Sequence, residues 1–302
     1  MTKKIFIVNP ASGNGEGKNY GLKLESMLPK MGIDFEIIYT ERPKHATEIA
    51  SRYFKSDDVD LIAVGGDGTM NEVLNGIHSG VSMGILPCGS GNDFYRLIDP
   101  KLISFQSEVE ALLNGEKTTI DYGVMNGFKF LGSFSIGMDA NVVDRVVKIQ
   151  EKNKGVRKSA YLRAVAGELF SKHGFNAYLE TDDQQYEKKV LMVSALNGRY
   201  YGGGFKPAPF ADIQDGLFDV SMIDNIPMLT IARLMPKYMA GKHMDLEQVT
   251  FVRTNHFTLR SEEEVTCQCD GELFRGKLFD LHLVTRGLNF IMPRGTKYEY
   301  RK

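Results

Sequence analysis

Through the first third of the chain, short continuous apolar runs alternate with stretches in which apolar residues recur every three or four positions. Ile5–Val8, Leu61–Val64 and Met83–Leu86 are runs of the kind that forms strands buried on both faces, and Asp34–Tyr39 alternates like a strand and stops at Thr40. Between them, Leu22–Met31, His45–Phe54 and Met70–Ile77 have helical spacing, the last through Met70, Val73, Leu74 and Ile77. Alternating strands and helices predict a parallel sheet covered by helices, with ligands bound beyond the carboxyl ends of the strands. Asn9, Thr40 and Gly65 fall at such ends.

After about residue 115 the pattern changes to strand-like runs separated by short turns. The runs are Thr118–Met125, Lys129–Ile136, Phe175–Thr181, Lys189–Leu196, Phe218–Ile223, Val249–Leu259, Val265–Cys269 and Leu278–Val284. They predict a mostly antiparallel β-domain, a sandwich or barrel, with helices inserted at Val142–Ile149, Tyr161–Phe170 and Met228–Ala240, the last interrupted by Pro236. Gly202-Gly203-Gly204 and Asp215-Gly216 mark loops. No low-complexity linker separates the halves, so the cleft between two closely met domains is the expected ligand site.

At 302 residues and 42% hydrophobic content, two well-packed domains are expected. The formal charge of −1 gives no global electrostatic basis for binding nucleic acid, so any anionic partner must be met locally. The first residues, MTKKIFIVNP, read as a strand and not as a signal peptide, and no apolar stretch approaches the roughly 20 residues needed to span a bilayer. Cys88, Cys267 and Cys269 form no disulfide framework, which fits a cytoplasmic protein, and the six histidines show no metal-binding spacing. Cys267 and Cys269 alternate along a strand and read as packing.

The chemistry concentrates in glycine-rich loops. Leu61–Val64 runs straight into Gly65-Gly66-Asp67-Gly68-Thr69, with Thr69 as the expected N-cap of the next helix. Three glycines in four positions let backbone N–H groups approach a ligand, and the helix N-terminus adds partial positive charge, so phosphate is the natural occupant. Asp67 would repel a phosphate unless a cation intervenes, which points to a metal-bound nucleotide; alternatively Asp67 is a local acceptor in a turn. Pro87-Cys88-Gly89-Ser90-Gly91-Asn92-Asp93 repeats the arrangement, with Arg96 one helical turn beyond Asp93. The Asn9–Lys18 loop fails the P-loop pattern, which needs Gly at 12 and Ser or Thr at 19 where this chain has Ser12 and Asn19.

Taken in order, GGDGTMNEVLNG, PCGSGNDF, NGRYYGGGFKPAP, DGLFDV and CDGE resemble the bacterial diacylglycerol-kinase-like lipid kinases, relatives of sphingosine and ceramide kinases. The resemblance covers essentially the whole chain. It implies a three-layer α/β nucleotide-binding domain over 1–122 with 289–302, and a β-sandwich lipid-substrate domain over 123–288. It implies ATP and Mg²⁺ as cofactors, with nucleotide contacts at Asn9, Pro10, Ser12, Gly13, Thr40, Gly65, Gly66, Asp67, Gly68, Thr69, Asn71 and Ser90. Ser90 stands where the family usually has Thr, and Tyr95 where it often has Ala. The family base falls on Glu272, with Asp270 and Asp67 as competing candidates and Asp93 joining Asp67 at the metal; Arg96 would neutralise charge nearby. A structural Mg²⁺ would be held by Asp215 and the carbonyls of Asp212 and Leu217. Asp121 is either part of the acidic site or structural.

The expected activity is transfer of the ATP γ-phosphoryl group to a lipid hydroxyl, diacylglycerol leading. A kinase acting on NAD and a nucleotide-binding regulator without catalysis are the alternatives. The partner would be lipid at the inner membrane face, met peripherally, with no nucleic acid and a homodimer left open. The basic residues Lys148, Lys152, Lys154, Arg157, Lys158 and Arg163, faced by Glu151 alone, fit either an anionic bilayer or a solvated surface. Met228, Met235, Met239 and Met244 fit either an acyl-chain groove or a core.

Overall fold

The computed structural model describes residues 2–89, 91–98, 104–152, 174–296 and 298. Strands β1 (Lys3–Val8), β2 (Phe35–Tyr39), β3 (Val59–Gly65) and β4 (Ser82–Pro87) pair in parallel in the order β2-β1-β3-β4. Every residue of β3 is buried, as a strand covered on both faces requires. Leu61 and Ala63 pack with Ile5, Ile7, Met83 and Ile85 against α2 (His45–Ala50), α3 (Asp67–Gly76) and α4 (Asp93–Ile98). Ile62 and Val64 point the other way, with Phe6, Val8 and Leu86, against α1 (Ser12–Met27) and α5 (Phe105–Leu113). The period of two along each strand thus builds three layers.

Two helix starts differ from expectation. The span of α1 begins at Ser12, well before Leu22, with Gly13, Asn14 and Gly15 in left-handed conformations, and a 3₁₀ turn covers Leu28–Met31. Helix α3 starts at Asp67 behind an extended Gly66 whose carbonyl accepts the Met70 N–H, so Thr69 is not the cap. Thr69 lies buried inside the first turn, with its hydroxyl free to bond the neighbouring loop.

The second half is built from β5 (Glu116–Met125), β6 (Phe128–Phe130), β7 (Ser133–Gly137), β8 (Phe175–Thr181), β9 (Gln185–Leu196), β10 (Phe218–Asp224), β11 (Val249–Thr254), β12 (His256–Cys269) and β13 (Glu272–Met292). All of their mutual pairings are antiparallel. Phe130, Phe134, Phe218, Phe257 and Phe279 are fully buried in its core. The run Lys129–Ile136 is two strands, because Leu131 and Gly132 leave the ladder, and Val249–Leu259 is broken at Asn255. Helix α6 (Met138–Lys152) follows β7, and α7 (Met228–Met239) runs through Pro236 without ending there. The expected helix Tyr161–Phe170 and the basic residues from 153 to 163 lie outside the described residues.

β13 ties the two halves together. Its early residues pair with β12, its middle and end with β5, and Asn289 and Phe290 run parallel to Ser82 and Met83 of β4. Between Val284 and Leu288 its ladder with β5 is interrupted, and Arg286 there has φ +50°. The Asp121 carboxylate accepts the N–H groups of Arg286 at 2.6 Å and Gly216 at 2.8 Å, so Asp121 is structural. None of the described helices is long and apolar enough to cross a membrane.

Candidate active site

The carboxyl ends of β1, β3 and β4 bring three loops into contact. Asn9 donates through Nδ2 to the Thr69 hydroxyl at 3.0 Å, and its Oδ1 accepts the Ala11 N–H at 3.1 Å. The Ser12 hydroxyl lies 3.4 Å from that of Thr69 and accepts the Gly66 N–H at 3.3 Å. Gly13, at φ +60°, packs so tightly that a Cβ there would meet the Cys88 carbonyl oxygen at 2.1 Å. A Cβ on Gly68, by contrast, would meet nothing within 4 Å. Asn9, Ser12, Gly13, Gly66 and Thr69 are therefore knit together beside the N-terminus of α3, with open space at Gly68, where backbone N–H groups and the helix dipole favour an anion. Thr40 ends β2, with its N–H on the Val8 carbonyl; Ser90 lies outside the described residues.

Asp67 and Asp93 face each other across this corner. Asp67 is pushed up to about 6, first by burial and then by the negative charges of Asp93 and Asp270, against hydrogen bonds from the Asn92 and Asp93 backbone. Asp93 is also raised by burial, and its Oδ2 accepts the Gly203 N–H at 2.8 Å. Its Oδ1 is buried without a hydrogen-bond partner, 3.8 Å from Arg96 Nε. Arg96 spends Nη2 on the Gly91 carbonyl. Two crowded carboxylates with raised pKa values and an unspent buried oxygen fit a divalent cation, since Mg²⁺ is commonly held by one or two carboxylates plus phosphate oxygens and water. Among the described residues no three His, Cys, Asp or Glu side chains converge on a metal position by themselves, so phosphate would have to complete the shell.

The Asp270-Gly271 turn enters the site from the second domain, with φ of +46° and +90°. Its two residues separate the candidate bases sharply. Asp270 is half-buried and accepts the backbone N–H groups of Leu131 at 2.7 Å, Gly132 at 3.0 Å and Ser133 at 2.8 Å. The break between β6 and β7 is what aims those three amides at it. Asn71 Nδ2 adds a longer contact at 3.3 Å and also donates to the Lys129 carbonyl. Asn71 is therefore a buried tie between domains, not a residue facing the open corner. Asp270 is a clamp whose acceptors are already engaged; Glu272 stands exposed at the start of β13, next to Gly271 in the cleft wall.

The second metal set does not fit. Asp215 Oδ2 forms an ion pair with Arg253, and Oδ1 accepts the Leu217 N–H at 3.0 Å. The Asp212 carbonyl accepts the Asp215 N–H, and the Asp212 carboxylate accepts from Gln214 N and the Tyr298 hydroxyl. Arg253 also bonds buried Asp219 at 2.9 Å. The Arg253 guanidinium already supplies positive charge beside Asp215, so the donor set expected of Asp212, Asp215 and Leu217 is not an open cation site in this arrangement.

Two adjoining pockets complete the site. The acidic one, about 180 Å³, is bounded by Asp67, Asp93, Asp270, Gly271, Asp139 and Tyr201 among others. The second, about 300 Å³, lies beneath α7, has nearly all-apolar walls that include Met235 and Met239, and shares Asp139 and Tyr201 with the first. Asp139 is buried, pushed up to about 6 by that burial, and bonded by Ser135 at 2.5 Å and by Tyr201. Sequence reading missed Asp139, Tyr201 and the 131–133 amides. The one signal for Asp139 was its place at the start of a helix directly behind an apolar strand.

The diacylglycerol kinase catalytic domain model matches residues 3–125, and the YegS C-terminal NAD kinase beta sandwich-like domain model matches residues 132–282. The chain belongs to the diacylglycerol-kinase-like family of bacterial lipid kinases. A diacylglycerol kinase of Staphylococcus saprophyticus is 28% identical to this lipid kinase, over 92% of this chain and 91% of its own. One from Bacillus subtilis is 23% identical over 97% of each. A diacylglycerol kinase structure from Bacillus anthracis superposes with a TM-score of 0.71 at 21% identity, covering 98% of both chains, and shares the fold.

Proposed function

We propose that this lipid kinase transfers the γ-phosphoryl group of ATP to the hydroxyl of a diacylglycerol, giving phosphatidic acid at the inner face of the cytoplasmic membrane. The observation that carries the reading is the shared wall: an apolar cavity meets, at Asp139 and Tyr201, an acidic pocket that holds Asp67 and Asp93. One chamber suits a lipid tail and the other a nucleotide phosphate.

The chain's own part in the reaction is positioning and charge control. The Gly66–Thr69 turn and the N-terminus of α3 hold phosphate oxygens through backbone N–H groups. Asp67 and Asp93 would hold Mg²⁺, which neutralises the developing charge on the phosphates. Asp270, fixed by three amides, keeps the second domain's turn against the first and narrows the cleft around the acceptor. Glu272, exposed at the lip of that turn, takes the proton from the lipid hydroxyl as its oxygen bonds to phosphorus.

The test is γ-labelled ATP with lipids in mixed micelles and with NAD in a parallel tube, each with and without Mg²⁺. Label entering diacylglycerol and depending on Mg²⁺ is the expected result. Label entering NAD alone, or no transfer to any acceptor, overturns the reading.

A further inference from the structure

The apolar cavity beneath α7 contains one side chain that its walls do not explain. His243, just beyond the carboxyl end of α7, is 1% exposed, and neither ring nitrogen has a hydrogen-bond partner among the described residues. It lines the cavity with Leu191, Met192, Ile231, Met235 and Leu246. Leaving such a group unpaired is unfavourable, a penalty that a packing role alone would avoid by using leucine. Burial also pushes its pKa down to about 4, so the ring is neutral at physiological pH and carries one N–H donor.

The position of His243 relates it to the reacting end. Its ring lies 4.5 Å from that of Tyr238, the Tyr238 hydroxyl is 2.8 Å from that of Tyr201, and Tyr201 bonds Asp139 at the wall shared with the acidic pocket. A row of four side chains thus leads from the phosphoryl-transfer chamber along the cavity. The volume, about 300 Å³, is roughly twice that of an engineered cavity that holds benzene, which suits a single alkyl chain and not two. A ligand that fills it must be largely hydrocarbon and uncharged, with a polar group that can meet the imidazole N–H or the other ring nitrogen. An acyl chain with its carbonyl meets that description; a long-chain amine does not, because its ammonium would be stranded in apolar surroundings.

We propose that the cavity holds one acyl chain of the acceptor lipid and that His243 donates a hydrogen bond to that chain's ester carbonyl. This rests on the lipid-kinase reading and deepens it: the substrate is recognised as an acylated lipid, with its second chain left in the bilayer.

The experiment compares a diacylglycerol with its diether analogue of equal chain length, which lacks the carbonyls, in wild type, His243→Leu and His243→Gln. Wild type is expected to favour the ester about tenfold in kcat/KM through KM, the size of one lost hydrogen bond to a buried donor. His243→Leu should reduce that preference to within about twofold, and His243→Gln, which keeps an N–H donor, should restore part of it. Thermal melting is an independent readout, since His243→Leu should raise the melting temperature of the lipid-free protein by removing an unpaired polar group. Equal use of ester and ether by wild type, or an ester preference untouched in His243→Leu, overturns the proposal; an ether preference does the same. If His243→Leu does not fold, the wild-type ester-to-ether ratio and the His243→Gln variant decide it. Phosphorylation of neither lipid by wild type fails the lipid-kinase reading instead.

Discussion

Two acidic corners of the molecule look alike in sequence and differ in what they have left to give. Asp67 and Asp93 follow the ends of parallel strands with raised pKa values and an Asp93 Oδ1 that accepts no hydrogen bond and meets Arg96 only at 3.8 Å. Asp212 and Asp215 sit in a turn of the second domain where amides, a tyrosine hydroxyl and Arg253 have taken up their carboxylate oxygens. An acidic cluster is a cation site where the fold withholds its own donors, and a structural knot where it supplies them. Asp270 belongs with the second kind although it sits beside the first, because three backbone amides point at it.

The largest separation of the two kinds comes from Asp67→Asn, which should lower turnover by about 10³ while leaving the fold intact. Asp67 has a folded pKa of about 6 against an ordinary value of 3.8, so its ionisation opposes folding. Between about pH 4 and 6 the folded state keeps a proton that the unfolded chain has released, and stability falls as pH rises. Melting temperatures from pH 4 to 7 should show wild type losing ground to Asp67→Asn through that window, while activity rises through about pH 6. Near wild-type turnover in the variant, or parallel melting curves, removes Asp67 from the unspent class.

Glu272→Gln should lower kcat by about 10² with ATP affinity unchanged, measured by labelled-phosphate transfer and nucleotide titration. Normal turnover in that variant would move the proton acceptor elsewhere in the cleft. Asp270→Asn sets an NH₂ group among donors that now converge on a carboxylate, and should lower stability by about 2–3 kcal/mol in denaturant melts. Unchanged stability there would dissolve the distinction between clamp and reactive acid.

The smallest effect is the most pointed for the second corner. A chelator should leave the melting temperature of the wild type unmoved, because Arg253 already provides the positive charge. A drop of several degrees on chelation that persists in Asp67→Asn, where the first corner has lost its ligand, would return Asp215 to the metal-binding class.

The parallel sheet was legible because alternation and continuous apolar runs report burial directly, and the glycine loops were legible as breaks after strands, since clustered glycines seldom continue a strand or a helix. The cap at Thr69 was misread because an extended Gly66, not a side chain, starts α3. Glu272 and Asp270 differ by two positions, and the turn between them leaves one held by three amides and the other exposed. Arg253 is far from Asp215 along the chain and next to it in space, a pairing set by β10 against β11. Asp139 and His243 are single residues in unremarkable contexts. Their chemistry arises when α6, β9 and the end of α7 close around one cavity, and no local pattern encodes that closure.

The interruption of β13 between Val284 and Leu288 lies where one strand passes from sandwich to parallel sheet. Such a break is where two rigid bodies joined by a common beam would bend. Here Asp121 rivets it, gripping Arg286 from the strand and Gly216 from the neighbouring turn. The spacing between the Asp67 loop and the Asp270 turn is thereby tied to the register of one strand that belongs to both halves.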